Sequence, residues 1–471
     1  MGAAQQLGST RAGPTYERRQ PERSPLYQTL LHHREAFLAQ TAVPTFVARA
    51  FRRFLDCGLL AKGFLRVRCV ECRAESLVAF SCKDRSFCPS CTARRSAETA
   101  AHLVDAVLPR VALRQYVLAM PPDLHHRLAR DAALQTKALG LFLDELRQHL
   151  QATAGVAGEP GFVTFVQSFG STLNLHVHFH VLALDGVYVR EGEQAPRFVR
   201  ARTPTNAEVS ALVERAARRI RRATGRTDPE DVPVVEAPLL KLVLPPDDEP
   251  LDPESPAKEL TAEHDGFNLH AATHFAANEP AAVERFCRYA ARGPLALSRL
   301  SLAPNGHVIY RLKQPRPDGT SHVVFSPQSL LTRLSWLIVL PGVHLTRYHG
   351  ILAPNHAWRS LIVRQPPVPL PGLHCRPRGR LDWATLLKRV FALEVLVCTA
   401  CGGERRIIAE IKEGPIARRI LAHLGLPTTA PKPAQGNLLA TGPPSWDDPE
   451  PPPAWSDSDF DQRLPHSDPF A

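Results

Sequence analysis

Six cysteines crowd into one short stretch of this 471-residue chain: Cys57, Cys69, Cys72, Cys82, Cys88 and Cys91. Cys69-Val-Glu-Cys72 and Cys88-Pro-Ser-Cys91 share the C-x2-C spacing. Each such turn offers two thiolates from one tight loop, and two turns complete the tetrahedron that zinc prefers. The N-terminal residues lack the apolar stretch of a secretory signal, so a metal site is expected here rather than disulfides. Cys69, Cys72, Cys88 and Cys91 are the expected zinc ligands; either Cys57 or Cys82 could replace one of them, but buried thiols are the expected reading of both. A further knuckle, Cys398-Thr-Ala-Cys401, is followed by two glycines and has the form of half a zinc ribbon. His374 and Cys375 are the candidates to complete a second site with it.

Charge points to the partner. From Phe46 to Arg95 there are eleven Lys/Arg against four Asp/Glu, and the whole chain carries +11. A basic chain most often meets polyanions, nucleic acid first. Arg68, Arg94 and Arg95 beside the knuckles, and Arg218, Arg219 and Arg222 on an arginine-rich helix, are candidate DNA contacts. The 44% hydrophobic content supplies real cores, and no run of about 18 apolar residues suggests a membrane span. A cytoplasmic location is expected.

The pattern divides the chain into a disordered arm (1–25), a helical zinc module (26–108) and a catalytic domain (109–360) with a Pro- and acid-rich insertion at 227–262. An accessory module (361–425) and a disordered acidic tail (426–471) follow. The expected fold class is α+β, a mainly antiparallel sheet with flanking helices. Helices are predicted over 97–108, 121–150, 206–224, 280–292 and 326–337. Strands are predicted over 114–120, 162–169, 175–184 and 267–275, with a hairpin joining 307–313 to 322–325.

His176-Val-His178-Phe-His180 is the most informative strand. Its period of two sends three imidazoles to one face and Val177, Phe179 and Val181 to the other. That describes a sheet with one core face and one metal-binding face. Nitrogen ligands suit Zn, Mn, Fe, Co or Ni, with Mg rarer and helped by substrate phosphate. An ion beside a DNA-seeking module suggests phosphodiester chemistry, with water or a side chain as nucleophile. Of the seven tyrosines, Tyr289 stands out: Arg285 and Arg292, at i−4 and i+3, share its helical face, and guanidinium groups hold phosphate well. Tyr348, in a polar stretch expected to be a loop, is the second choice.

These motifs together resemble a rolling-circle transposase of the insertion-sequence "ninety-one" and common-region type, built on single-strand HUH chemistry. The N-terminal match runs from Cys57 through Cys69, Cys72 and Cys82 to Cys88-Pro-Ser-Cys91-Thr-Ala-Arg-Arg95. The second match is Phe165-Val-Gln167 through Asn174 to His180, then Asp185-Gly-Val-Tyr188. The third is Cys287-Arg-Tyr289 with Arg292 and Pro294, and Leu345-Thr-Arg-Tyr348-His-Gly also fits. The resemblance implies that His178 and His180 hold a divalent ion, Mg or Mn, with Gln167 as third ligand, His176 as runner-up and His270 as a distant alternative. It implies that Tyr289 attacks single-stranded DNA at element ends and stays joined to a 5′-phosphate. It allows homo-oligomers. Founding members carry a second tyrosine four residues on; here that position is Gly293, which implies the single-tyrosine branch. A plasmid replication initiator or relaxase, a zinc-dependent DNA-binding regulator without activity, and a metallohydrolase of small phosphoesters are the rivals.

Overall fold

Strand alternation decides the architecture, and it does so most clearly in the histidine strand. In the computed structural model, which describes residues 20–226, 240–242, 259–316, 318–363, 389 and 396–433, the chain is mixed helix and antiparallel sheet, as the sequence implies. Most of the expected arm, insertion and tail, and also His374 and Cys375, lie outside the described residues.

In chain order the elements begin with α1 (Pro25–Gln40), α2 (Thr45–Leu55), β1 (Gly63–Cys69), β2 (Glu75–Ala79), α3 (Pro89–Ala106) and β3 (Leu113–Ala119). Then come α4 (His125–Arg130), α5 (Ala132–Ala154), β4 (Gly161–Phe169), β5 (Leu175–Leu184), β6 (Gly186–Val189), β7 (Arg197–Arg200) and α6 (Asn206–Thr224). Next are β8 (Leu240–Leu242), β9 (Thr261–His264), β10 (Phe267–His270), β11 (His274–Phe275) and α7 (Pro280–Ala290). The last are β12 (Leu300–Leu302), β13 (Val308–Arg311), β14 (His322–Phe325), α8 (Pro327–Leu337), β15 (Thr346–Gly350), α9 (Arg359–Ile362), β16 (Arg405–Lys412) and α10 (Pro415–His423).

Contacts divide the chain into two units. The larger holds residues 25–52 and 83–368, and its main sheet runs β15-β4-β5-β3-β10-β9, with β11 also against β3. Every pairing in it is antiparallel. Val177, Phe179 and Val181 on β5 are fully buried and join a core with Phe142, Leu146 and Leu150 of α5 and with Val209, Leu212, Val213 and Ile220 of α6. Burying each such side chain contributes roughly 1.5–3 kcal/mol. The opposite face, which carries the histidines, is also covered further along the strand. Val163, Phe165, Leu182 and Leu184 pack there against Ala100 and Leu103 of α3 and Val283, Phe286, Cys287 and Ala290 of α7. That is why β5 turns almost continuously apolar after His180.

Several boundaries differ from the sequence expectation. The predicted 121–150 helix breaks at Asp131, whose carboxylate accepts from the Leu134 N–H and caps α5, a stronger local signal than the apolar period around it. The predicted 97–108 helix starts earlier, at Pro89, because proline is preorganised for a first helical turn. The 267–275 strand is interrupted between β10 and β11. Asp185, expected only as a turn residue, is buried and takes a two-pronged ion pair from Arg114 at 2.9 and 3.3 Å.

The smaller unit holds Arg53–Cys82 and residues within 369–432. The zinc module was expected to be helical; here β16, β1 and β2 form a three-stranded antiparallel sheet. Leu60 and Phe64 are buried against Ala417 and Leu421 of α10.

Candidate active site and metal centres

Two groups of four cysteines bring their Sγ atoms within 4.8 Å of one another. One is Cys57, Cys82, Cys88 and Cys91; the other is Cys69, Cys72, Cys398 and Cys401. The expected grouping of Cys69 and Cys72 with Cys88 and Cys91 is therefore corrected. Cys57 and Cys82 are ligand-positioned rather than idle thiols, and Cys398 and Cys401 meet Cys69 and Cys72; His374 and Cys375 lie outside the described residues. The reason is strand pairing. β1 lies antiparallel to β16, with Cys69 opposite Arg405, and this carries the 398–401 turn onto the 69–72 turn. Cys69 Sγ lies 3.5 Å from Cys401 Sγ, and Cys72 Sγ lies 3.6 Å from Cys398 Sγ. A tetrahedron with 2.3 Å bonds to zinc has edges of about 3.8 Å, so the donor set fits the ion. Backbone N–H groups of Ala400 and Cys401 pull the Cys398 thiol down to about 6, toward the thiolate a metal needs, whereas Cys69 and Cys72, despite the pull of nearby backbone N–H groups, are raised by burial and neighbouring thiols.

The histidine site is built on the larger sheet. Directly paired residues share a face, so Gln167 on β4 stands beside His178 and Phe165 beside His180. The rings step along the strand: His176 to His178 is 5.1 Å between centroids and His178 to His180 is 4.9 Å. His125 of α4 extends the row at 4.9 Å from His176. Burial pushes His178 down to about 3 and His180 well below its ordinary range, with the Arg292 charge adding to both. Both imidazoles are therefore neutral at physiological pH, as metal ligands must be.

Hydrogen bonds fix which atoms face inward. His178 Nδ1 lies 2.9 Å from the His176 carbonyl, an acceptor only, so Nδ1 carries the proton. Gln167 Nε2 donates to the Ala290 carbonyl at 2.7 Å. That leaves His178 Nε2 and Gln167 Oε1 facing each other at 3.2 Å, lone pair to lone pair. Two acceptors at this distance are what adjacent ligands of an ion at about 2.1 Å present. The geometry of these residues fits a divalent cation.

The tyrosine helix approaches this face. Proline starts α7, and Val283, Phe286, Cys287 and Ala290 form its buried stripe. Tyr289 sits at the stripe's border, with its ring edge-on to His180 at 6.0 Å. The Arg292 guanidinium lies 5.0 Å from the Tyr289 centroid and 5.1 Å from that of Phe169. Gln167 ties the site to the last turn of α7 through Ala290. Tyr348, expected in a loop, is on β15 opposite Val163, and Arg359 lies over its ring.

Residues 161–359 match a family model described as "Putative transposase", and residues 29–120 match one described as "Transposase zinc-binding domain". The chain belongs to the transposases of the insertion-sequence "ninety-one" family. No curated protein and no solved structure matches it. The transposase is thus an enzyme acting on DNA, and its cysteine groups support structural zinc. Among the described residues, no helix is long and apolar enough to cross a membrane.

The expected DNA contacts separate into two kinds. Arg218 pairs with Glu214, and Arg219 with Asp144 at 3.2 Å and Glu145 at 2.8 Å. Their helix, α6, covers the sheet face away from the histidines. Arg68 lies 3.7 Å from Glu75. Arg94, Arg95 and Arg222 are exposed. Phe169, His125 and Gln115 escaped the sequence reading. A lone glutamine within an apolar strand carries no periodic signal.

Proposed function

We propose that the transposase nicks and rejoins single-stranded DNA at element ends by tyrosine transesterification, in rolling-circle fashion. The observation that carries this reading is the convergence of Tyr289, Arg292 and the His178–Gln167 pair at one end of the β4–β5 face. In the proposed step the Tyr289 oxygen attacks the phosphorus, forming an O–P bond as the bond from phosphorus to the 3′ oxygen breaks. The tyrosine proton passes to solvent and the 3′ oxygen is released as a hydroxyl. The 5′-phosphate stays on Tyr289, so the bond energy is kept for rejoining and no nucleotide cofactor is required. Arg292 would hold the phosphate over the phenol. A Mg or Mn ion held by His178, His180 and Gln167 would polarise the phosphate.

Gly293 supports a single nucleophile. A Cβ at this position would meet Thr92 Oγ1 at 2.7 Å. Thr92 is buried and donates to the Cys88 carbonyl at 2.9 Å, so it has little freedom to move aside. A second strand transfer would reuse Tyr289, use Tyr348 or employ another subunit. Arg94 and Arg95 would contact DNA together with Arg222, and the site of action would be the bacterial cytoplasm and nucleoid.

The test is a labelled single-stranded element end incubated with Mn or Mg, or with chelator, and resolved on a denaturing gel. A covalent adduct is expected with metal only, and Tyr289→Phe should abolish it. No adduct with metal supplied would favour the non-enzymatic regulator. Free 5′-phosphate ends that survive Tyr289→Phe would favour water-based hydrolysis. Transposition of a marked element, set against plasmid nicking, separates the transposase from a relaxase or replication initiator.

A further inference from the structure

We propose that Gln115 is a positioning residue that sets the tautomer of His180. This inference rests on the reading of His178, His180 and Gln167 as metal-holding. Gln115 is on β3, fully buried, with its backbone N–H bonded to the Thr273 carbonyl at 2.9 Å. Its side-chain amide meets His180 Nδ1 at 2.7 Å.

Two orphaned atoms lie at the ends of this short chain. With the amide nitrogen toward His180, Gln115 Oε1 is buried without a hydrogen-bond partner among the described residues, and so is His180 Nε2. In that arrangement Nδ1 must accept, which forces the proton onto Nε2 and leaves an N–H with nothing to receive it. Amide oxygen and nitrogen are nearly alike in shape, so the two orientations occupy the same space. Turning the amide over lets Oε1 accept from His180 Nδ1–H. The proton then leaves Nε2, whose lone pair becomes available on the face it shares with His178. Both imidazoles would then match: His178 Nδ1–H held by the His176 carbonyl, and His180 Nδ1–H held by Gln115. A metal-binding histidine typically donates its second ring N–H to such an oxygen, which fixes the ring and raises its basicity.

The proposal is tested on the full-length, zinc-loaded protein by Mn binding, read from the electron paramagnetic resonance signal of free Mn. His178→Ala sets the background. Gln115→Leu should weaken binding by roughly 10–100-fold, with zinc content and melting temperature retained. Gln115→Glu, which still offers an acceptor, should keep wild-type affinity or exceed it. A second readout requires no variant: long-range proton–nitrogen NMR of ring-labelled histidine should show His180 protonated at Nδ1. Wild-type affinity in Gln115→Leu, equal loss in Gln115→Glu, or an Nε2–H tautomer would each overturn the role of Gln115. If wild-type protein binds no more Mn than His178→Ala, the metal-holding reading itself fails, and this proposal fails with it.

Discussion

The cysteine sites and the histidine site, which we propose holds a divalent ion, are built in opposite ways. Each cysteine group closes on itself with four thiolates, which leaves no position for a substrate. The histidine site takes its donors from neighbouring strands of one rigid sheet, backs them with a hydrogen-bonded glutamine, and keeps one side toward Tyr289. A full shell holds chain segments together; a partial shell beside the proposed nucleophile would leave room for a phosphate. On this comparison, damage to the first should cost structure, and loss of Tyr289 beside the second should cost chemistry alone.

The largest expected effect tests the second half of that statement. Tyr289→Phe should lower strand cleavage on the order of 10⁶-fold, the scale of losing an enzyme's nucleophile. Zinc content, measured by mass spectrometry of the metal, should not change. Cys398→Ser tests the first half. It should remove one zinc of the two that the paired cysteine groups accommodate, and limited proteolysis should then attack the smaller unit. Retention of both zinc ions in Cys398→Ser would break the pairing of Cys398 with Cys72. Gly293→Ala should cost about 1–3 kcal/mol of stability, as overpacking does, because the new methyl group meets Thr92. A neutral change in melting temperature would show that the 293 position tolerates a side chain.

The smallest effect is in pH. Burial lowers His178 to about 3 and His125 to about 4. Below the ordinary histidine value of roughly 6.5, the unfolded chain takes up protons that the folded chain refuses. The stability is therefore whole above that value and drains away as pH falls toward these lowered ones. Each such histidine should add a slope of about 1.4 kcal/mol per pH unit in that window. Denaturant titrations from pH 6.5 down to 4 should show a shallower slope in His178→Asn; an identical slope would mean that His178 is not the buried neutral group described.

The histidine face was legible because a strand has a fixed period of two and needs no distant information: once His176, His178 and His180 alternate with Val177 and Phe179, the faces follow. The knuckles were legible as zinc donors for the same local reason. Their pairing was not, since C-x2-C spacing says nothing about which second turn closes the shell, and the 15-residue gap between Cys72 and Cys88 could have closed one. The answer lay in the pairing of β1 with β16, a tertiary fact. Tyr348 was misread because the polar Thr-Arg-Tyr-His-Gly of an edge strand looks like a loop. Which α6 arginines are held by carboxylates was not legible either, because the acidic partners of Arg219 and Arg221 (Asp144, Glu145, Asp123 and Asp265) come from distant segments.

The second zinc site carries a consequence for synthesis. Cys72 and Cys398 stand 326 positions apart, so the early half-site leaves the ribosome long before its partner. At roughly 5–20 residues per second, the wait is on the order of 15–65 s. Throughout that interval two thiols are uncommitted, open to other metals or to oxidation. A copy of the gene truncated before Cys398 would leave them so permanently, and its product would lack the metal clamp even with Tyr289 and the histidine strand intact.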